Sequence, residues 1–121
     1  MSSKITDAQV TIDLMQKSDL PEILAIEKVS FSSPWTEGMF AEELENKLAQ
    51  CLVIRINYGS KSILAAYIIF RLIADEAHLH NLAVKKEFQR QSLARSLMTT
   101  MRDIAMQLGI CARTLEVRES N

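Results

Sequence analysis

At 121 residues, 48% hydrophobic and 24% charged, the chain is long enough to bury a core of ordinary size and reads as one folded domain spanning 1–121. A formal net charge of −1 gives no basis for broad binding to nucleic acid or anionic lipid. No apolar stretch reaches membrane-spanning length and the first residues lack the hydrophobic core of a secretion signal, so the cytoplasm is the expected location.

Taken in chain order, Val10 to Met15 reads as a first strand. Asp19-Leu20-Pro21-Glu22 then carries the marks of a helix start: a capping Asp, an early Pro and a Glu three residues on. Apolar residues at 23, 24, 26 and 29 continue that helix, and Ser32-Ser33-Pro34-Trp35-Thr36 breaks it. Thr36 is placed to open a second helix through Leu44 or beyond, on which Glu42, Glu43 and Glu45 read as a solvated face. Cys51 to Ile56, the turn Asn57-Tyr58-Gly59-Ser60 and Ile63 to Ile73 form a hairpin. The run from Ile63 to Phe70 is apolar on both faces, as expected of a central strand. After a turn at Asp75-Glu76, Ala77 to Val84 returns as a strand.

The helix after this strand has the strongest periodicity in the chain. Leu93, Leu97, Met98, Met101, Ile104, Ala105 and Leu108 follow the three-and-four spacing of one buried face, and Gly109 is placed as its C-cap. Arg113 to Arg118 reads as a further strand. The order strand, two helices, three strands, helix, strand describes a mixed α/β sheet.

Gln89-Arg90-Gln91-Ser92-Leu93-Ala94 joins the strand to that helix. A turn that opens a helix presents backbone N–H groups without partners at the positive end of the helix dipole, a natural seat for phosphate or pyrophosphate. Arg90 and Arg95 flank it with positive charge. On a strand, Glu116 shares one face with Thr114, Arg118 and Ser120, while Leu115 and Val117 share the other, so Glu116 is a candidate to project into a polar cleft. His78 and His80 alternate onto one strand face, but no third ligand has convincing spacing, so no metal site is expected. Cys51 and Cys111 each lie in an apolar run and read as reduced core residues.

Four segments in this order resemble the GNAT superfamily of acetyl-CoA-dependent N-acetyltransferases. They are Phe31 to Glu37, Asn81 to Val84, Phe88 to Arg95 and Leu115 to Asn121. The similarity is greatest to the RimI type, which acetylates the N-terminal alanine amine of a small-subunit ribosomal protein. The resemblance implies a mostly antiparallel central sheet flanked by helices. It implies that acetyl-CoA lies along Leu82, Ala83 and Val84, with its pyrophosphate on Arg90, Gln91, Ser92, Leu93, Ala94 and Arg95 and a further contact at Asn121. It implies direct transfer with Glu116 as general base, to a protein N-terminus approaching the loop around Trp35 and Pro34.

Two departures from the family pattern stand out. Ser92 occupies a position where the family's loop usually has Gly, so weakened cofactor binding is expected. The chain also ends at Asn121, where the family continues into another helix and two strands. The expectation is therefore a C-terminally incomplete domain, with an uncovered sheet edge open to association. The alternatives are the same chemistry on a small amine, such as a polyamine or aminoglycoside, or a non-catalytic remnant that binds acetyl-CoA weakly.

Overall fold

The computed structural model describes residues 9–112. Its elements are β1 (Gln9–Leu14), α1 (Leu20–Ser30), α2 (Glu37–Glu45), β2 (Ala49–Tyr58), β3 (Lys61–Ile73), β4 (Glu76–Val84), α3 (Leu93–Gln107) and the short β5 (Cys111–Ala112). The strands form one sheet in sequential order. Neighbours from β1 to β4 are antiparallel, and β5 pairs in parallel with the start of β4 through Glu76–Cys111 and Ala77–Ala112. The expected mixed, mostly antiparallel sheet flanked by helices is the fold observed. The strand expected at Arg113 to Arg118 lies outside the described residues, as do Glu116 and Asn121.

Each face of the sheet carries its own core. On one face α1 and α2 pack Ile23, Ile26 and Phe40 against Val53, Tyr67 and Ile69. On the other, α3 packs Leu97, Met101 and Ala105 against Ile54, Ile68 and Phe70. Burial of each such large side chain stabilises the fold by about 1.5–3 kcal/mol. β3, covered on both faces, is the apolar central strand its sequence implies. The β2–β3 hairpin closes through Gly59 at φ +62°, paired on either side by Tyr58 and Lys61.

Two β-bulges decide which side chains face which core. Ala65 is the extra residue of β3 opposite β2, and His80 is the extra residue of β4 opposite β3. A bulge shifts the two-residue alternation by one. Ala77 and Leu79 therefore share the α3 face with Leu82 and Val84, while Asn81 and Ala83 turn toward α1. His78 pairs with Glu76 at 3.2 Å, and no group of three metal-ligating side chains occurs among the described residues.

Several local expectations hold in detail. Thr36 caps α2 by accepting the Met39 N–H at 3.2 Å. Gly109, at φ +71°, ends α3 in a Schellman arrangement: its N–H donates to the Met106 carbonyl and the Ile110 N–H to the Ala105 carbonyl. Cys51 is buried and free, and burial followed by the nearby Glu43 carboxylate pushes its thiol pKa up to about 12. That is the inert core cysteine expected. The side chain of Cys111 lies outside the described ones.

Other expectations need correction. Asp19 does not cap α1 through its side chain; its carboxylate instead accepts from the Gln16 N–H and from both terminal nitrogens of Arg55 on β2. On α1, Val29 is 68% exposed while Glu27 and Ser30 are buried. The sheet-facing stripe of α1 runs 20, 23, 26–27 and 30, and Val29 falls outside it. Glu43 is not on a solvated face: it is buried and paired with Arg71 of β3, while Glu42 and Glu45 are exposed. Leu108 is 60% exposed rather than part of the buried face, because it is the C-cap residue where the chain turns away from the helix.

Candidate functional site

The end of β4, the loop that follows it and the first turn of α3 enclose a cleft of about 440 Å³. Leu82, Ala83 and Val84 form one wall and Arg90, Ser92, Leu93, Ala94 and Arg95 another. Eight of the nine residues from 82 to 95 that sequence reasoning assigned to a ligand thus surround one space; Gln91 sits in the same loop without lining it. Glu116 and Asn121 lie outside the described residues.

The loop has an unusual backbone. Arg90 and Ser92 both lie in the left-handed region, at φ +64° and +67°, on either side of Gln91. Left-handed residues in a turn can direct neighbouring N–H groups toward one concavity, an arrangement that favours an anion. Leu93, Ala94 and Arg95 add the first turn of α3, whose first intrahelical bond in chain order runs from the Ser96 N–H to the Ser92 carbonyl. The N-cap Ser92 makes no capping bond with its side chain, so its hydroxyl does not compete for these amides. Arg90 and Arg95 are exposed at the rim, and no acidic side chain falls in the first turn of α3. Fixed backbone donors, the helix dipole and two guanidinium groups are all suited to an anion.

Neighbouring contacts shape the cleft. The Gln89 side-chain amide donates to the Val84 carbonyl at 3.3 Å, tying the loop to the strand it leaves. The Lys85 N–H donates to the carbonyl of the bulge residue Ala65 at 2.7 Å. Phe88 is buried beneath the loop, in the core under α3.

Phe88 and Gln89 lie in the loop segment that sequence reasoning singled out, without being named there as ligand contacts; Ser30, and Glu27 beside the cleft, it missed. Ser30 closes the cleft from the end of α1. The signal for both α1 residues was present: 23, 27 and 30 keep the spacing of a buried helix face, so polar residues there are candidates for a partnered or functional position.

The strain at Ser92 yields an expected result. A left-handed conformation costs a non-glycine residue about 1–2 kcal/mol, against about 0.5–1 kcal/mol of added backbone entropy for glycine. Ser92→Gly is therefore expected to raise stability slightly, by about 0.5 kcal/mol, and to tighten binding of an anionic ligand to the loop. Urea denaturation and calorimetric titration with acetyl-CoA check the two effects, and a loss of either kind would contradict the assignment of strain.

Residues 20–121 match the acetyltransferase (GNAT) family. Over 111 residues the chain is 35% identical to the [ribosomal protein bS18]-alanine N-acetyltransferase of Escherichia coli K12, covering 92% of this chain and 72% of that relative. The crystal structure of the ribosomal-protein-S18-alanine N-acetyltransferase from Escherichia coli superposes with a TM-score of 0.74 and 29% identity, over 88% of this chain. The chain spans 66% of that crystallised relative's length. The PaiA N-acetyltransferase of Thermoplasma acidophilum, crystallised with coenzyme A, shares the fold at a TM-score of 0.73 and 17% identity, over 88% of this chain and 78% of its own.

Proposed function

The chain belongs to the acetyltransferase (GNAT) family, and from that premise we propose that it transfers the acetyl group of acetyl-CoA to the N-terminal alanine amine of a small-subunit ribosomal protein. The observation that carries the reading is the cleft in which the left-handed Arg90–Ser92 loop and the first turn of α3 meet the Leu82–Val84 end of β4. A pyrophosphate is the ligand group that such a concavity of backbone amides with two arginines suits best. The apolar Leu82, Ala83 and Val84 beside it suit a pantetheine arm, bonded through their backbone. The relative in Escherichia coli supports the choice of acceptor, and the coenzyme A held by the Thermoplasma acidophilum protein supports the choice of ligand.

Acetyl-CoA supplies the activated acetyl group as a thioester. The amine attacks the carbonyl carbon, the new N–C bond forms, the C–S bond breaks to release coenzyme A as its thiolate, and the amine proton leaves to a base. Glu116 is the proposed base, directly or through a water, and Asn121 a proposed further cofactor contact. An N-terminal amine with an ordinary pKa of about 8 needs no extreme tuning of a carboxylate to lose its proton. The proposed acceptor side is the loop from Ser32 to Thr36. There the half-buried Trp35 ring lies 5.2 Å from Phe40, and Phe40 meets Tyr67 edge-on at 5.8 Å. Among the described residues no helix is long and apolar enough to cross a membrane.

Calorimetric titration with acetyl-CoA, followed by turnover on an alanine-starting peptide, tests the proposal. A dissociation constant on the order of micromolar, with turnover, is the expected result. Glu116→Gln is expected to lower kcat about a hundredfold or more while leaving acetyl-CoA affinity intact. Binding without turnover on any amine would identify a non-catalytic acetyl-CoA binder. Turnover confined to a polyamine or aminoglycoside would reassign the acceptor.

A further inference from the structure

Glu27 is the one fully buried acidic side chain among the described residues, and it sits on α1 one turn before the cleft-lining Ser30. Its carboxylate joins three separate parts of the molecule. One oxygen, Oε2, accepts the backbone N–H of Trp35 at 2.8 Å. The other, Oε1, accepts the Tyr67 hydroxyl of β3 at 2.6 Å and the Asn81 side-chain amide of β4 at 2.9 Å. Asn81 directly precedes the cleft wall of Leu82, Ala83 and Val84, and its own Oδ1 is buried without a protein partner.

A carboxylate removed from water is unfavourable unless strong hydrogen bonds compensate, and an apolar residue fills a helix–sheet contact at lower cost. This position therefore calls for a reason beyond packing. Trp35 N–H belongs to the break between α1 and α2, and the Glu27 side chain reaches forward from α1 to accept it. The Trp35 ring also packs on Phe40, but a ring contact does not fix the direction of the backbone as a hydrogen bond does. With Glu27, the loop's backbone is referred to the same strand that forms the cleft wall, at a spacing set by three short bonds. Buried networks of this kind select one arrangement from several that packing alone tolerates.

We propose that Glu27 is a positioning residue for acetyl transfer: it fixes the Trp35 loop, and with it the incoming acceptor amine, relative to the cofactor strand at Asn81. The role rests on the proposed function, since the loop is an acceptor site only on that reading. Glu27 acts by accepting hydrogen bonds and takes no proton from the substrate. A glutamine at this position keeps the function, because its Oε1 can still accept from Trp35 N–H, while its amide can donate to Tyr67 Oη and to a turned Asn81 carbonyl.

The test exploits Trp35 as the sole tryptophan of the chain. Glu27→Leu and Glu27→Gln in the full chain are compared with the parent by acrylamide quenching of Trp35 and by the two KM values of the acetyl-transfer reaction. Glu27→Leu is expected to raise the quenching constant about twofold and the peptide KM about tenfold, with the acetyl-CoA KM changed by less than about twofold. Glu27→Gln is expected to stay near the parent in all three. Unchanged quenching and peptide KM in a folded Glu27→Leu protein overturn the inference, as does an equal rise of both KM values. Loss of turnover in Glu27→Gln with unchanged quenching also overturns it, pointing to proton transfer instead. If Glu27→Leu does not fold, Glu27→Asp carries the same prediction, because it withdraws the carboxylate from Trp35 by one methylene. Quenching is read without ligand. A parent chain that neither binds nor uses acetyl-CoA would therefore remove the proposed function, while the quenching result still decides whether Glu27 holds the loop.

Discussion

Ala94→Asp is expected to weaken acetyl-CoA binding by roughly a hundredfold or more while leaving the protein folded. Ala94 lies in the first turn of α3 and lines the cleft beside the left-handed loop. A carboxylate there would meet the pyrophosphate at close range. Two unit charges about 5 Å apart at an effective dielectric near 20 repel by about 3 kcal/mol, which is roughly a hundredfold or more in affinity. The effect on stability has two small and opposed parts. Aspartate is a poorer helix former than alanine by about 0.5 kcal/mol, but an acid in the first helical turn regains about 0.3–1 kcal/mol from the dipole. Stability should therefore change by less than about 0.5 kcal/mol. Calorimetric titration and a urea melt measure the two quantities on one sample. Near-parental affinity would show that the helix start does not hold the pyrophosphate.

Asp19→Asn should be the most damaging single change to stability outside the two apolar cores. Asp19 is buried, and its two oxygens receive Arg55 Nη1 and Nη2 at 2.8 and 2.9 Å, with the Gln16 N–H at 2.8 Å. Burial by itself would raise the carboxyl pKa; the Arg55 hydrogen bonds, the Gln16 N–H and the Arg55 charge outweigh it and hold the pKa below the ordinary value. Asparagine would turn an NH2 toward a guanidinium N–H and leave Arg55 only the more exposed Asp13, at 3.2 Å. The expected loss at neutral pH is about 2–3 kcal/mol. Because the folded-state pKa is lowered, the contribution is fully present above an ordinary Asp pKa of about 3.9 and is lost as pH falls through the lower folded value. Urea midpoints for parent and variant should differ at pH 7 and converge in acid. A gap that persists far below pH 3 would mean that Asp19 stabilises the fold by something other than its charge.

The strand that carries Arg55 also shows why burial of acidic residues was hard to foresee. Arg55 and Asp19 are 36 residues apart, Arg71 and Glu43 28 apart, and Glu27 meets Tyr67 and Asn81 at separations of 40 and 54. Nothing local distinguishes Glu43, which is buried, from Glu42 and Glu45, which are not. The average preference of a carboxylate is for water, and only a donor brought in by the sheet reverses it. The bulges at Ala65 and His80 were equally unmarked, since alanine and histidine fit an unbroken strand.

The sequence by itself determined the order of the elements, the Thr36 cap, the Gly109 stop, the central position of β3 and the turn from Gln89 to Ala94 that opens α3 beside the cleft. These follow from properties within one turn or one hairpin: side-chain period, capping chemistry and the free amides at a helix start. The tertiary structure alone decided that Ser92 is held in a left-handed conformation, that the alternation of β4 reverses at His80, and that Glu27 bonds both the Trp35 loop and Asn81 of β4. The last two depend on partners far away in the chain. The free energy of burying a polar or strained group is a property of its surroundings, and those exist only once the sheet has formed.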